Sequence, residues 1–115
     1  MPEIIIVNKN ISLADLKKLA EQGFGDMVKA VVDIEKKVMA LGGGMHADEE
    51  AVLLEQGSAQ ENLWGINLFP DEDAAKMVEF DSMINIRPRQ NNRSRGVEDE
   101  ATRKKILDIV SQLII

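Results

Sequence analysis

Asn62-Leu63-Trp64-Gly65-Ile66-Asn67-Leu68-Phe69 is the stretch that decides the fold. Trp64, Ile66 and Leu68 fall on one side and Gly65 and Asn67 on the other, the two-residue period of a strand with one apolar face. Trp64 shares that face with Ile66 and Leu68, so it reads as core and not as a stacking platform. On the C-terminal side, Pro70-Asp71-Glu72-Asp73 makes a turn, and Met77 to Arg87 alternates again. Val78, Phe80, Ile84 and Ile86 then oppose Glu79, Asp81, Asn85 and Arg87, until Pro88, lacking a backbone donor, ends the ladder. On the N-terminal side, Gly57-Ser58 reads as a turn and Glu49 to Gln56 as a further strand. Short connections make neighbouring strands antiparallel, so residues 49 to 87 are expected to form a three-stranded meander.

Helices flank this meander. Ser12, with Asp15 three residues on, resembles a capping box; Leu13, Leu16, Leu19 and Ala20 give an apolar stripe that Gly23 stops. Met27, Val31, Ile34, Val38 and Leu41 recur at three- and four-residue spacing, which predicts a second helix over 26–41. Gly42-Gly43-Gly44 is then a helix stop and hinge, and a phosphate-loop role is rejected because a helix C-terminus repels anions and no Lys-Ser or Lys-Thr follows. A last helix over 100–113 has Asp99 as its cap and buries Ile106, Ile109, Val110 and Leu113. The β-branched run from Glu3 to Val7 is a strand expected to join the sheet. The expectation is a single α+β domain over 1–115, of order β-α-α-β-β-β-α, with an antiparallel sheet and helices packed on one face.

Charge is segregated along the chain. The net charge is −6, and Asp48 to Asp81 holds ten carboxylates against one base, Lys76. Four of the five arginines lie at 87, 89, 93 and 95, with no acid between Ser82 and Val97. Nucleic acid is disfavoured as a partner, because phosphate contacts call for a basic surface and base stacking for aromatics, and the chain is acidic with three phenylalanines, one tryptophan and no tyrosine. No cysteine is present, which removes disulfides, thiolate metal sites and cysteine nucleophiles. The apolar run after Glu3 is too short for a leader or a membrane span, so a cytoplasmic protein is the default expectation.

Three segments carry a resemblance. They are Met45 to Glu50 (MHADEE), Gly57 to Pro70 (GSAQENLWGINLFP) and Phe80 to Asp99 (FDSMINIRPRQNNRSRGVED). Together they resemble a family of small prokaryotic proteins classed as a domain of unknown function, over about residues 25–113. The resemblance implies a compact domain and brings no activity or site residue.

Site chemistry must therefore come from the residues. Guanidinium groups present planar forks of donors that suit phosphate or carboxylate. Arg87, Arg89, Arg93 and Arg95, with the amides of Asn85, Asn91 and Asn92, form the expected ligand-binding segment, and it leads into a helix N-terminus that also favours an anion. Asp81, Asn85, Arg87 and Asn67 are expected on one polar sheet face, a shallow concavity beside the arginine loop and His46. The competing expectation is internal: the arginines neutralise carboxylates of residues 48 to 81. No cofactor and no metal is expected; His46, Asp48 and Glu50, which share one side if extended, are the residues that a divalent ion would use. Ser58, Ser82 and Ser94 have only His46 as a base and no nucleophile elbow around them.

Two function classes follow. The first is a non-catalytic module binding a phosphorylated small molecule or an acidic protein partner through residues 85 to 95. The second is a small enzyme acting on RNA or a phosphoester, similar in element order to ribonuclease toxins. Met39, Met45, Met77, Met83 and Leu113-Ile114-Ile115 supply apolar surface beyond the stripes, and a homodimer is expected.

Overall fold

A computed structural model describes residues 3–115; Met1 and Pro2, part of the segment read for a leader, lie outside it. Its centre is a five-stranded antiparallel sheet in the order β1-β3-β2-β4-β5. The strands are β1 (Ile5–Val7), β2 (Val28–Asp33), β3 (Val38–Leu41), β4 (Leu63–Leu68) and β5 (Val78–Glu79); the helices are α1 (Leu13–Gln22), α2 (His46–Glu55) and α3 (Glu100–Leu113). The α+β class and the antiparallel sheet are as the sequence implied. Among the described residues no helix is long and apolar enough to cross a membrane.

The alternation in residues 62–69 places β4 against β2 in the register Val28↔Leu68, Ala30↔Ile66, Val32↔Trp64. These side chains, with Met39 and Leu41 from β3, form the larger core beneath α1 and α3. Leu16 and Ala20 of α1 and Ile106, Ile109, Val110 and Leu113 of α3 fill it, each of the leucines, isoleucines and valine contributing about 1.5–3 kcal/mol when fully buried. Both helices start as expected: the Ser12 hydroxyl accepts from Asp15 N at 3.1 Å, and the Asp99 carboxylate accepts from Thr102 N at 2.9 Å.

Two elements exchange identity. Residues 26–41 form not a helix but the β2–β3 hairpin, paired Ala30↔Leu41 to Asp33↔Val38. The helical spacing of Met27, Val31, Ile34, Val38 and Leu41 was coincidental. Val28, Ala30, Val31 and Val32 are all buried because this strand is covered on both sides, and a two-sided strand shows no alternation. The turn is hidden as well, since it contains neither Gly nor Asn. Asp33 builds it instead: Oδ1 accepts from the N–H groups of Glu35 and Lys36, both at 2.9 Å, and Lys37 takes the left-handed conformation at φ 59°.

The second exchange is at residues 49–56, a helix and not a strand. Ala47, Glu49, Glu50, Ala51, Leu53 and Leu54 are good helix formers, and His46, Glu49 and Leu53 make its buried face. Gly57, at φ +96°, ends α2 in a conformation costly for any residue with a Cβ, so the expected turn is a helix terminus. This helix covers the opposite side of the sheet, with Leu53 packed on Val31, Ala40 and Leu63. The helices therefore sit on both faces, two and one, and the expectation of a single covered face is corrected by the position of α2.

Candidate functional site

The third expected strand of the meander stops almost at once. Only Val78 and Glu79 pair with β4, and the chain from Phe80 onward leaves the ladder. Ser82 causes the departure: its hydroxyl accepts from Ile84 N at 3.3 Å and caps a 3-10 turn over Met83–Asn85. Gly65 permits it, because a Cβ there would lie 2.6 Å from both Cβ and Oγ of Ser82. On the edge away from β2, Leu63 to Ile66 are thereby left without a strand partner, and buried peptide groups need one.

Side chains take the place of the strand. Asn85 is wholly buried; its Oδ1 accepts from Gly65 N at 2.8 Å and its Nδ2 donates to Gly65 O at 2.9 Å. A carboxamide has the same donor and acceptor pair as a peptide, so one side chain closes the ladder where the backbone does not. Arg87 continues the repair by donating to the carbonyls of Leu63 and Gln60. Its guanidinium carbon stands 4.2 Å from the centre of the Trp64 ring, and burial lowers its pKa. Gln90 donates to the carbonyl of Glu61 at 2.9 Å.

Asn92 organises the remainder. Also buried, it donates to the carbonyls of Asn85, Gly96 and Ser94 and accepts from Glu98 N at 2.8 Å. Arg95 bonds the Asp81 carboxylate at 2.5 Å across an exposed pair. Of the nine expected ligand-binding residues, the structure thus turns Asn85, Arg87 and Asn92 inward, pairs Arg95 with Asp81, and leaves Arg89, Asn91 and Arg93 exposed. Among the described residues the ion pairs are Arg95–Asp81 and Lys17–Asp71, so neither Arg89 nor Arg93 has one. Arg89 borders a hollow of about 500 Å³ shared with Gln60, Glu61, Ile86, Arg87, Pro88 and Gln90.

Asn67, the ninth, faces a second polar group near the far end of β4. Lys29, Asn67 and Glu79 stand opposite one another across β2, β4 and β5. Asn67 donates to Glu79 at 2.8 Å and to the Asp81 carbonyl at 3.4 Å, while its buried Oδ1 has no partner. The proximity of Asn67 and Asp81 was expected; their sharing a face with Asn85 and Arg87 was not realised, because the chain leaves the sheet at Phe80. His46 belongs to this group, buried, with Nε2 2.8 Å from the Ile66 carbonyl and its pKa lowered by desolvation. On a helix, His46 and Glu50 share a side that Asp48 does not, so the three do not converge as an extended segment would have them. No group of three His, Cys, Asp or Glu among the described residues is placed to hold a metal ion.

Glu49, expected to begin a strand, is an acid of the buried face of α2. It is fully buried, its Oε2 accepting from Gly43 N at 2.9 Å and its Oε1 without a partner among the described residues. Desolvation raises its pKa to about 9. Gly42-Gly43-Gly44 follows strand β3 and enters α2, which removes the helix C-terminus as a reason for rejecting an anion there and leaves the missing Lys-Ser or Lys-Thr. The protein's own acids already occupy that position, however, with Asp48 and Glu49 in the first turn.

No curated protein and no solved structure matches the chain. A family model does, and its reach is longer than the three segments that first carried the resemblance, since β1 and α1 are included. Matched over residues 5–113 of 115, the chain belongs to the family described as Protein of unknown function (DUF5674).

Proposed function

We propose that this domain is a non-catalytic binding module for an anionic group, borne by a phosphorylated small molecule or by an acidic partner, with Arg89, Asn91 and Arg93 as its contacts. The observation that carries this reading is the division of labour within residues 85–95. Asn85, Arg87 and Asn92 fix the loop from inside, and two guanidinium groups are left exposed without an ion pair among the described residues. A cation held on a fixed loop loses less freedom on binding than one on a mobile chain. On a protein of net charge −6 these groups are a local exception, which favours a discrete anion over a polyanion.

The reading does not extend to catalysis. His46 is the only histidine, and its burial and its bond to the Ile66 carbonyl give no support to acid-base work on RNA or a phosphoester. Titration with inorganic phosphate at constant ionic strength, followed through the arginine Nε resonances, tests the proposal. The double variant R89A/R93A should lose the saturable shifts and R103A should keep them; equal responses in the two would remove the reading. Self-association is a separate part of the proposal, favoured by the free edge of β1 and the exposed Ile5. A monomeric mass by light scattering at high concentration would exclude it.

A further inference from the structure

The corner formed by Arg93 and Ser94 is already filled by an anion, and that anion is the protein's own. Glu98 folds back so that one oxygen, Oε2, accepts from two consecutive main-chain N–H groups, Arg93 at 2.6 Å and Ser94 at 2.9 Å. Successive N–H groups aimed at one point make the kind of concavity that holds phosphate and carboxylate oxygens. Those two bonds, Ser94 first and then Arg93, hold the Glu98 carboxyl below its usual range, so the charged form occupies the corner at neutral pH.

The corner does not depend on its occupant. Asn92 fixes it from beneath, holding the carbonyls of Asn85, Ser94 and Gly96 together with the main-chain N–H of Glu98. The Glu98 side chain is exposed, and neither ion pair among the described residues includes it. Besides the two N–H groups, only the Ser94 side chain and the Arg93 charge among the described residues, both part of the same corner, favour the bound carboxylate, and its removal leaves the main-chain donors in place. Nor does helix α3 need it, since Asp99 caps that terminus separately through Thr102.

We propose that Glu98 is a displaceable placeholder in a phosphate site: a ligand phosphate group takes the N–H groups of Arg93 and Ser94 as the Glu98 carboxylate swings into solvent, and the Arg93 guanidinium is its second contact. The inference rests on the anion-binding reading and adds to it a specific pair of donors and a built-in competitor. Occupancy by Glu98 keeps the site closed to weakly held anions and sets a threshold that a phosphate must exceed. Both donors are main-chain groups, so they select for the oxygen's charge and position and not for the rest of the ligand.

The test is a titration of wild type, E98A and E98Q with inorganic phosphate at constant ionic strength, read on the amide resonances of Arg93 and Ser94. Glutamine can still accept both bonds, so E98Q preserves the loop while removing the competing charge. Charge-assisted bonds are roughly twice as strong as neutral ones, and the expected result is about tenfold tighter phosphate binding in E98A, with E98Q between it and wild type. Where E98A disturbs the loop, E98Q alone decides. Affinities equal to wild type in a folded E98Q overturn the placeholder, and the anion-binding reading survives if the Arg89 and Arg93 side chains still respond. Absence of any saturable shift in all three proteins overturns both.

Discussion

Replacing Glu49 with glutamine should remove a pH dependence of stability that the wild-type protein carries between about pH 5 and pH 9. The side chain is fully buried between α2 and the glycine turn, with one N–H donor and no cation in ion-pair range among the described residues. Desolvation is the main cause that raises its pKa from 4.5 to about 9. Within that window the folded state holds a proton that the unfolded state has released. Stability from this group is therefore fully present below the unfolded value and is lost as pH climbs to the folded one, the reverse of a salt-bridged carboxylate. One proton corresponds to a slope of about 1.4 kcal/mol per pH unit, so a rise from pH 5 to pH 8 removes on the order of 4 kcal/mol, a large share of a domain's usual 5–15 kcal/mol. Urea unfolding of wild type and E49Q at half-unit intervals is the assay. The difference between the two proteins isolates Glu49, because every other titrating group is common to both. A constant difference across the range would refute a buried, protonated Glu49 and with it the packing of α2 against the Gly43 turn.

Two further outcomes test the loop that replaces a strand. N85A leaves the N–H and C=O of Gly65 unpaired in the interior, at about 1–3 kcal/mol for each group, and should lower the urea midpoint without changing the slope of the transition. N85D keeps the shape but turns a carboxylate toward the carbonyls of Gly65 and Arg95; its loss should exceed that of N85A at pH 7 and shrink on acidification. G65A forces a Cβ to within 2.6 Å of Ser82 and should cost about 1–3 kcal/mol, with partial recovery in G65A/S82G; strict additivity would contradict the contact.

Legibility in the sequence followed how many sides of an element are covered. β4 and α3 could be read because each contrasts an apolar face with something else, Gly65 and Asn67 in one and the charged side of residues 100–113 in the other. β2 could not, since Val28 to Asp33 is covered above and below and its turn is shaped by the Asp33 side chain, a contact that no turn dipeptide announces. For α2 the misleading residue was Glu49, an acid on the buried face where an apolar residue would have revealed the helical period. The candidate site was legible in location and not in role. Residues 85–95 do gather the donors, but whether an asparagine faces out or substitutes for a peptide group depends on where β5 ends, and Ser82 and Gly65 determine that through a contact 17 residues apart. Glu98 was legible only as one of the acids at the start of α3; its specific partners are main-chain N–H groups, which leave no mark on the sequence.

On the proposed reading the loop after β5 divides its cations, Arg87 completing the sheet and Arg89 and Arg93 serving an external anion. Arg87 donates to two carbonyls and stacks on Trp64, interactions that together are worth about 2–4 kcal/mol, whereas exposed and unpaired guanidinium groups contribute within about 0.5 kcal/mol. Urea unfolding of R87A beside R89A/R93A, each with and without phosphate, reads both halves at once. The expected result is a marked loss of stability in R87A, near-wild-type stability in R89A/R93A, and stabilisation by phosphate that is absent only from the latter; R89A/R93A unfolding as readily as R87A, or responding to phosphate as wild type does, would contradict the claim.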